Sequence, residues 1–136
     1  MSPLVRSLLA VLAGVLTSVL VVLAGDALVH RLYAFPTGGT AQTREAVRTM
    51  PAGAFAVALA GWVAAAAAGA LVAARLAHRR PVGHGVTVAL VLLGATVVNL
   101  ALISHPSWVS AGALVGIPAA GWAASRMVHP RGTVRP

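Results

Sequence analysis

Four long apolar stretches, separated by short polar segments, dominate the pattern of hydrophobic and polar positions along the chain. They cover residues 7–29, 52–74, 85–104 and 108–128. An α-helix needs about 20 apolar residues to cross a hydrocarbon core about 30 Å thick, and each stretch has roughly that length. The pattern therefore predicts an all-α polytopic membrane protein. We expect an antiparallel bundle of four transmembrane helices that forms a single domain over residues 1–136.

The segments between these stretches are short, with one exception. An outer loop over residues 34–50 joins the first two spans, and residues 40–48 within it are predicted to form a short interfacial helix. Pro51 is expected at the first helical position of the second span, where its missing N–H costs nothing. A basic turn over 75–83 follows that span. His105-Pro106-Ser107 then allows only a tight hairpin before the fourth span.

Composition and charge agree with a membrane protein. Of the 136 residues, 59% are hydrophobic and only 9% are charged, whereas about a quarter of the residues of a soluble domain carry charge. Ten basic residues, all arginine, stand against two acidic ones. A basic balance also suits nucleic-acid binding, but these arginines lie between apolar runs rather than on one face. The expected partner is the lipid bilayer and not nucleic acid.

The arginines also predict the orientation, because cytoplasmic loops of membrane proteins are enriched in basic residues. One side of the predicted bundle carries seven arginines and the other carries three. The seven are Arg6, Arg75, Arg79, Arg80, Arg126, Arg131 and Arg135, and the three are Arg31, Arg44 and Arg48. We therefore expect the protein to lie in the inner membrane of the cell. Both termini, including a basic tail over 129–136, are expected in the cytoplasm. The first apolar stretch is too long for a signal peptide, so we expect it to be retained.

Small residues recur every four positions in the second and fourth spans. The two rows are Gly61, Ala65, Gly69 and Ala73, and Gly112, Gly116, Ala120 and Ala124. This spacing places small side chains on one helix face, where another backbone can approach closely. We predict that spans two and four form the packed seam, while spans one and three present leucine and valine to lipid. The alternative is that an alanine-rich composition produces such rows by chance.

Polar side chains inside membrane spans are costly and mark candidate functional sites. Four of them fall in one layer near the outer surface, namely Asp26, His30, Asn99 and His105. Asp26 and His30 are four residues apart and share a helix face. One interpretation is an outward-facing pocket for proton exchange, a metal or a cationic ligand. The other is structural, in which Asp26 pairs with His30 or Arg31, Asn99 bonds across helices and His105 ends a span.

Motifs for catalysis and cofactor binding are missing from the sequence. The chain has no cysteine, and we find no nucleophile elbow, phosphate-binding loop or pair of carboxylates. Two histidines and a carboxylate suit zinc, but no tight ligand spacing is present. Histidines on two spans suit haem, but both would lie at the wet edge of the membrane. We therefore predict no metal and no cofactor, and we expect that the protein is not an enzyme.

Several short sequence motifs, taken in order along residues 14–126, make the chain resemble a group of small, uncharacterised four-helix membrane proteins of bacteria. They are His30-x-x-Tyr33-x-x-Pro36, Met50-Pro51-x-Gly53-Ala54, Val72-Ala73-Ala74-Arg75, Asn99-Leu100, Ile103-Ser104-His105-Pro106-x-Trp108 and Pro118-Ala119. The resemblance implies the same four-span architecture. It implies no reaction, ligand or catalytic residue.

Two functions of different kinds follow from these patterns. The first is a membrane protein that acts by helix–helix contact, as a self-associating homo-oligomer or as an accessory subunit of another membrane protein. The second is a small oligomeric transporter or permeation unit that uses Asp26 and the outer polar layer. In that case Asp26 lies near one membrane surface, whereas the binding sites of alternating-access transporters typically lie at the midplane.

Overall fold

A computed structural model describes residues 2–34, 39–77 and 79–128 of the chain. These residues form five α-helices and no strand, which confirms the predicted all-α fold. The helices are α1 (Pro3–Tyr33), α2 (Thr40–Arg48), α3 (Ala52–Leu76), α4 (Pro81–Leu102) and α5 (Ser107–Arg126). Helix α2 covers the residues for which the sequence predicted a short helix. The predicted basic tail, with Arg131 and Arg135, lies outside the described residues.

Three of the described helices, α1, α3 and α4, are long and apolar enough to cross a membrane by length and composition. Helix α5 corresponds to the predicted fourth span and contains 20 residues. Alanine, glycine and serine make up most of it, and Pro118 lies in its interior, so it is less apolar than the other three. Its inward side is nevertheless well packed, since Val109, Ala113 and Ile117 are fully buried.

Two prolines take positions that differ from those predicted. Pro51 is the N-cap of α3 rather than its first residue, and its carbonyl oxygen accepts a hydrogen bond from the Ala54 N–H at 3.0 Å. Pro81 does not belong to the turn after α3 but begins α4. The first N–H groups of a helix have no partner within it, so proline is favourable there. Helix α4 therefore begins about one turn earlier than predicted.

Helices α1 and α3 run antiparallel and approach closely along most of their length. Gly25 faces Gly61, such that a Cβ built on either would lie 3.5 Å from the Cα of the other. The hydroxyl of Ser18 donates a buried hydrogen bond of 3.0 Å to the carbonyl oxygen of Ala65. A Cβ built on Gly69 would lie 2.5 Å from the carbonyl oxygen of Gly14. The small-residue row of α3 therefore packs against α1, while α3 also contacts α5, its predicted partner in the packed seam.

The small-residue row of α5 meets α3 in a different way. Gly112 and Gly116 receive the side chains of Leu59 and Val63, which would lie 2.7 and 2.9 Å from a Cβ built on each glycine. Ala120, the next residue in the row, is half-buried. Since α3 presents large side chains to α5 and small residues to α1, its two faces pack by different means. Because alanine occurs on all sides of α3, the sequence did not distinguish these two faces.

Helices α3 and α4 form the short diagonal of the bundle, and each contacts all the other long helices. In the described residues α1 and α5 are not in contact. Most exposed leucines and valines lie on α1 and α4, as the sequence predicted for spans one and three. We call the end of the bundle that carries α2 the α2 end, and the opposite end, with the turn after α3, the turn end.

Substitution of Gly69 by alanine tests the close α1–α3 contact. The new methyl group would meet the Gly14 carbonyl and the Ser18 hydroxyl, so we expect a loss of about 1–3 kcal/mol in stability, as for other overpacked sites. Thermal unfolding of the detergent-solubilised protein measures it. Gly94→Ala on α4 is the control, since a Cβ there has nothing within 4 Å. Equal midpoints for the two variants would contradict the packing described.

Candidate functional site

A cavity of about 700 Å³ opens at the α2 end of the bundle, among α1, α3 and α4. The structure brings together around it all four residues of the predicted outer polar layer, which come from α1, α4 and the segment after α4. Two threonines that the sequence did not single out complete its polar lining. The polar lining is Asp26, His30, Thr43, Thr96, Asn99 and His105.

Helical spacing explains how α1 and α4 each contribute two polar groups. Asp26 and His30 lie one turn apart on α1, and the two side chains interact electrostatically. Thr96 and Asn99 lie three residues apart on α4 and face the same cavity. The Thr96 hydroxyl donates to the Leu92 carbonyl oxygen at 2.9 Å, which satisfies its proton within the helix and leaves its oxygen lone pairs as acceptors.

The depths of Asp26 and Asn99 match better than the sequence predicted. At about 1.5 Å per residue, Asp26 lies about 12 Å from the midpoint of α1 toward the α2 end. The early start of α4 at Pro81 moves its midpoint, so Asn99 lies about 11 Å from it rather than about 7 Å. The carboxylate and the amide are therefore at nearly the same level on the two sides of the cavity.

His105 is held in place by its backbone and by two aromatic rings. Its Nδ1 lies 2.7 Å from the Ile103 carbonyl oxygen. A carbonyl can only accept, so Nδ1 carries the proton and Nε2 of the neutral ring is an acceptor. The rings of Phe55 and Trp62 meet the imidazole edge to face, with centroids 5.9 and 5.7 Å away. His105 is therefore a fixed polar group at the cavity wall, in addition to ending the α4 segment.

Sequence reasoning missed the aromatic wall of this cavity. Phe55 and Trp62 are seven residues apart on α3, a spacing that places them on one helix face, and Ala58 lies between them on that face. All three line the cavity. The spacing was visible in the sequence, but two aromatic residues on one helix face do not by themselves distinguish a cavity wall from ordinary packing. The remaining apolar lining is Val22, Val29, Val47, Met50, Leu92, Ala95 and Ile103.

Helix α2 covers the cavity from the end of the bundle. Val47 is buried against Phe55 and Val109, which anchors α2 to α3 and α5. Arg44 donates from Nε to the Leu102 carbonyl oxygen at 3.1 Å. That carbonyl belongs to the last turn of α4, where the final carbonyls have no partner within the helix. The arginine therefore satisfies the end of α4 and ties α2 to it.

The cavity is open on the side between α1 and α4. Asp26 and Ala95 line it and are nevertheless exposed. Close to the middle of the bundle, in the half toward the turn end, the same helices touch, since a Cβ on Gly14 would lie 2.8 Å from Val88. The two helices therefore diverge from this contact toward the α2 end. The resulting gap connects the cavity to the surroundings of the bundle.

The polar lining of the cavity combines a carboxylate, an amide, two imidazoles and two hydroxyls. In residues 2–34, 39–77 and 79–128, no group of three or more histidine, cysteine, aspartate or glutamate side chains is arranged to hold a metal ion. The structural interpretation of Asn99 required a bond across helices. Within the same described segments, no hydrogen bond joins the Asn99 side chain to another helix. Its amide lines the cavity.

Comparison with protein-family models, with curated proteins and with solved structures found no match for this chain. The resemblance to small four-helix bacterial membrane proteins therefore stays a prediction, and the site is interpreted from its own geometry.

Cysteine labelling tests whether the cavity contains water, and the natural chain offers a background without cysteine. Ala58 lines the cavity, whereas Ala66, two turns further along α3, is fully buried. A charged, water-soluble methanethiosulfonate should modify Ala58→Cys at least about ten-fold faster than Ala66→Cys, because only a hydrated thiolate reacts. Mass spectrometry of the detergent-solubilised variants gives both rates. Equal protection of the two cysteines would contradict an open cavity.

Proposed function

We propose that this chain is a four-span protein of the bacterial inner membrane that binds a small molecule in the cavity at its α2 end. The binding function is supported above all by the convergence of Asp26, His30, Asn99 and His105, which come from two distant parts of the sequence, on one open cavity. Its volume of about 700 Å³ is in the range of small-molecule sites, which combine apolar walls with a few polar groups.

The packing of α5 supports a fourth span. At about 1.5 Å per residue its 20 residues extend about 30 Å, the thickness of the hydrocarbon core. Glycines along α5 receive side chains of α3, and Gly121 meets Ala89 of α4. In a membrane, helices associate by such close packing even where their own hydrophobicity is modest. The close packing of α5 against α3 and α4 therefore supports its position in the membrane beside these two helices.

Charge supports an orientation with both termini in the cytoplasm. Among the described residues the turn end carries five arginines and the α2 end carries three. The five are Arg6, Arg75, Arg79, Arg80 and Arg126, and the three are Arg31, Arg44 and Arg48. The more basic end belongs inside. Arg126 lies 5.1 Å above the Trp122 ring, an arrangement suited to the inner interface. The cavity then opens on the outer side.

A function by helix–helix contact has less support than binding. The small residues that suggested it are occupied inside the bundle, since Gly61 and Gly69 face α1 while Gly112 and Gly116 receive side chains of α3. A close approach by a second chain would require these contacts to be broken. Transport or permeation through an oligomer is compatible with the cavity, and binding is its necessary first step.

Binding of the neutral fluorophore N-phenylnaphthylamine tests the proposed function. We expect one saturable site per chain above the background of empty micelles. Ala58→Trp places a large side chain in the cavity and should weaken binding at least about ten-fold, because it occupies space that the ligand needs. Fluorescence titration of the purified protein measures this.

Ala56→Trp is the control, because Ala56 is on the same helix, exposed and outside the lining. It should bind the fluorophore as the natural chain does. Either the absence of a saturable component or undiminished binding by Ala58→Trp would refute a binding cavity.

A further inference from the structure

We infer that the cavity selects an amphipathic organic cation, whose charged group pairs with Asp26 and whose apolar part lies against Trp62 and Phe55. This inference rests on the proposed function, because it specifies the ligand class of the same cavity. The inferred ligand class is supported by the distribution of charge and apolar surface with depth along the cavity walls.

The polar groups of the cavity lie at its outer level, together with Phe55, whereas the lining near the middle of the bundle is mostly apolar. Asp26 and Asn99 lie about 12 and 11 Å from the midpoints of their helices, at about 1.5 Å per residue. By the same measure Trp62 and Leu92 lie about 3 and 1 Å from the midpoints of theirs, near the middle of the bundle. A ligand with one polar end and one apolar end satisfies both levels, whereas a wholly polar ligand leaves the deep part unfilled.

The formal charge at the polar level is negative. Among the described lining residues, Asp26 carries the one formal charge when the histidines are neutral. Three arginines directly adjoin lining residues in sequence, and all three are exposed: Arg31, Arg44 and Arg48. Arg44 is engaged with the Leu102 carbonyl oxygen at the cavity rim, and Arg48 pairs with Glu45. Charges in water are strongly screened, while a carboxylate within the span acts through a lower dielectric. The deeper charge therefore decides the sign of the ligand.

A carboxylate at this depth also requires compensation. An ionised group within the hydrocarbon region is costly unless it is paired or hydrated. His30 follows Asp26 by one turn on α1 and interacts with it, and both side chains line a cavity of about 700 Å³, which has room for a cation beside the carboxylate. Phe55 lines the cavity at about the level of Asp26, and an aromatic ring close to a positively charged group attracts it through its π-system. Charge and aromatic surface thus favour the same chemistry.

The opening between α1 and α4 gives such a ligand a direct route. Asp26 and Ala95 are exposed along it, so the gap faces the lipid rather than the bundle core. An amphipathic molecule dissolved in the outer leaflet already has its polar end near the surface and its apolar end toward the midplane. It enters sideways in the orientation that the cavity walls require.

Two ions of matched shape and opposite charge test the inference, namely tetraphenylphosphonium and tetraphenylborate. We expect the cation to bind saturably at one site per chain, and the anion to show only the partition of empty micelles, as measured by equilibrium dialysis of the purified protein. Asp26→Asn should weaken cation binding at least about ten-fold, because a paired charge is lost. Thermal unfolding of this variant checks that it is folded.

Glu45→Gln is the matched control, since it removes the other acidic residue, which lies on the exposed face of α2 and pairs with Arg48 at 3.5 Å. It should change cation binding by less than about two-fold, as an exposed pair contributes little. Equal binding of both ions, or an Asp26→Asn variant as good as the natural chain, would overturn the inferred ligand class. So would the absence of saturable cation binding.

Binding of N-phenylnaphthylamine separates failure of the ligand class from failure of the proposed function. If the neutral fluorophore still binds and the Ala58→Trp variant binds it more weakly, the cavity binds molecules and only the preference for a cation is wrong. If the fluorophore does not bind either, the proposed binding function is also wrong.

Discussion

The close approach of the α1 and α3 backbones is the contact on which the rest of the arrangement depends. Lipid tails are as apolar as leucine, so helices in a bilayer associate through packing and hydrogen bonds rather than by escape from water. Gly14, Ser18 and Gly25 allow α1 to lie against the small face of α3, and the buried Ser18–Ala65 hydrogen bond fixes the register of the two helices. Because α1 lies along α3, it does not also lie along α4 toward the α2 end. The gap left between α1 and α4 opens into the cavity.

Much of the architecture was readable from periodicity and length. The helices, including the short α2, and the common level of the polar residues follow from apolar run lengths and from a rise of about 1.5 Å per residue. The partner of each small-residue row was not readable. Helix α3 is small on several faces, so four-residue spacing in Gly61, Ala65 and Gly69 did not say which neighbour they meet. Only the large side chains of Leu59 and Val63 mark the face toward α5.

The candidate site shows the same division between what the sequence indicated and what required three dimensions. The cost of polar groups in hydrocarbon was enough to select Asp26, His30, Asn99 and His105. It was not enough to show that they surround an open volume, since that depends on how α1 and α4 diverge. The aromatic wall of Phe55 and Trp62 changes the chemistry of the site, because it supplies apolar and π surface beside the carboxylate.

A four-span bundle requires α5 to cross the bilayer as the fourth helix, and the ends of α5 test this directly. Ser104 lies just before α5 and Met127 just after it, and both are exposed. In intact cells that produce single-cysteine variants, a membrane-impermeant thiol reagent should label Ser104→Cys at once and Met127→Cys only after permeabilisation. Labelling of both cysteines from the same side of the membrane would contradict a four-span bundle.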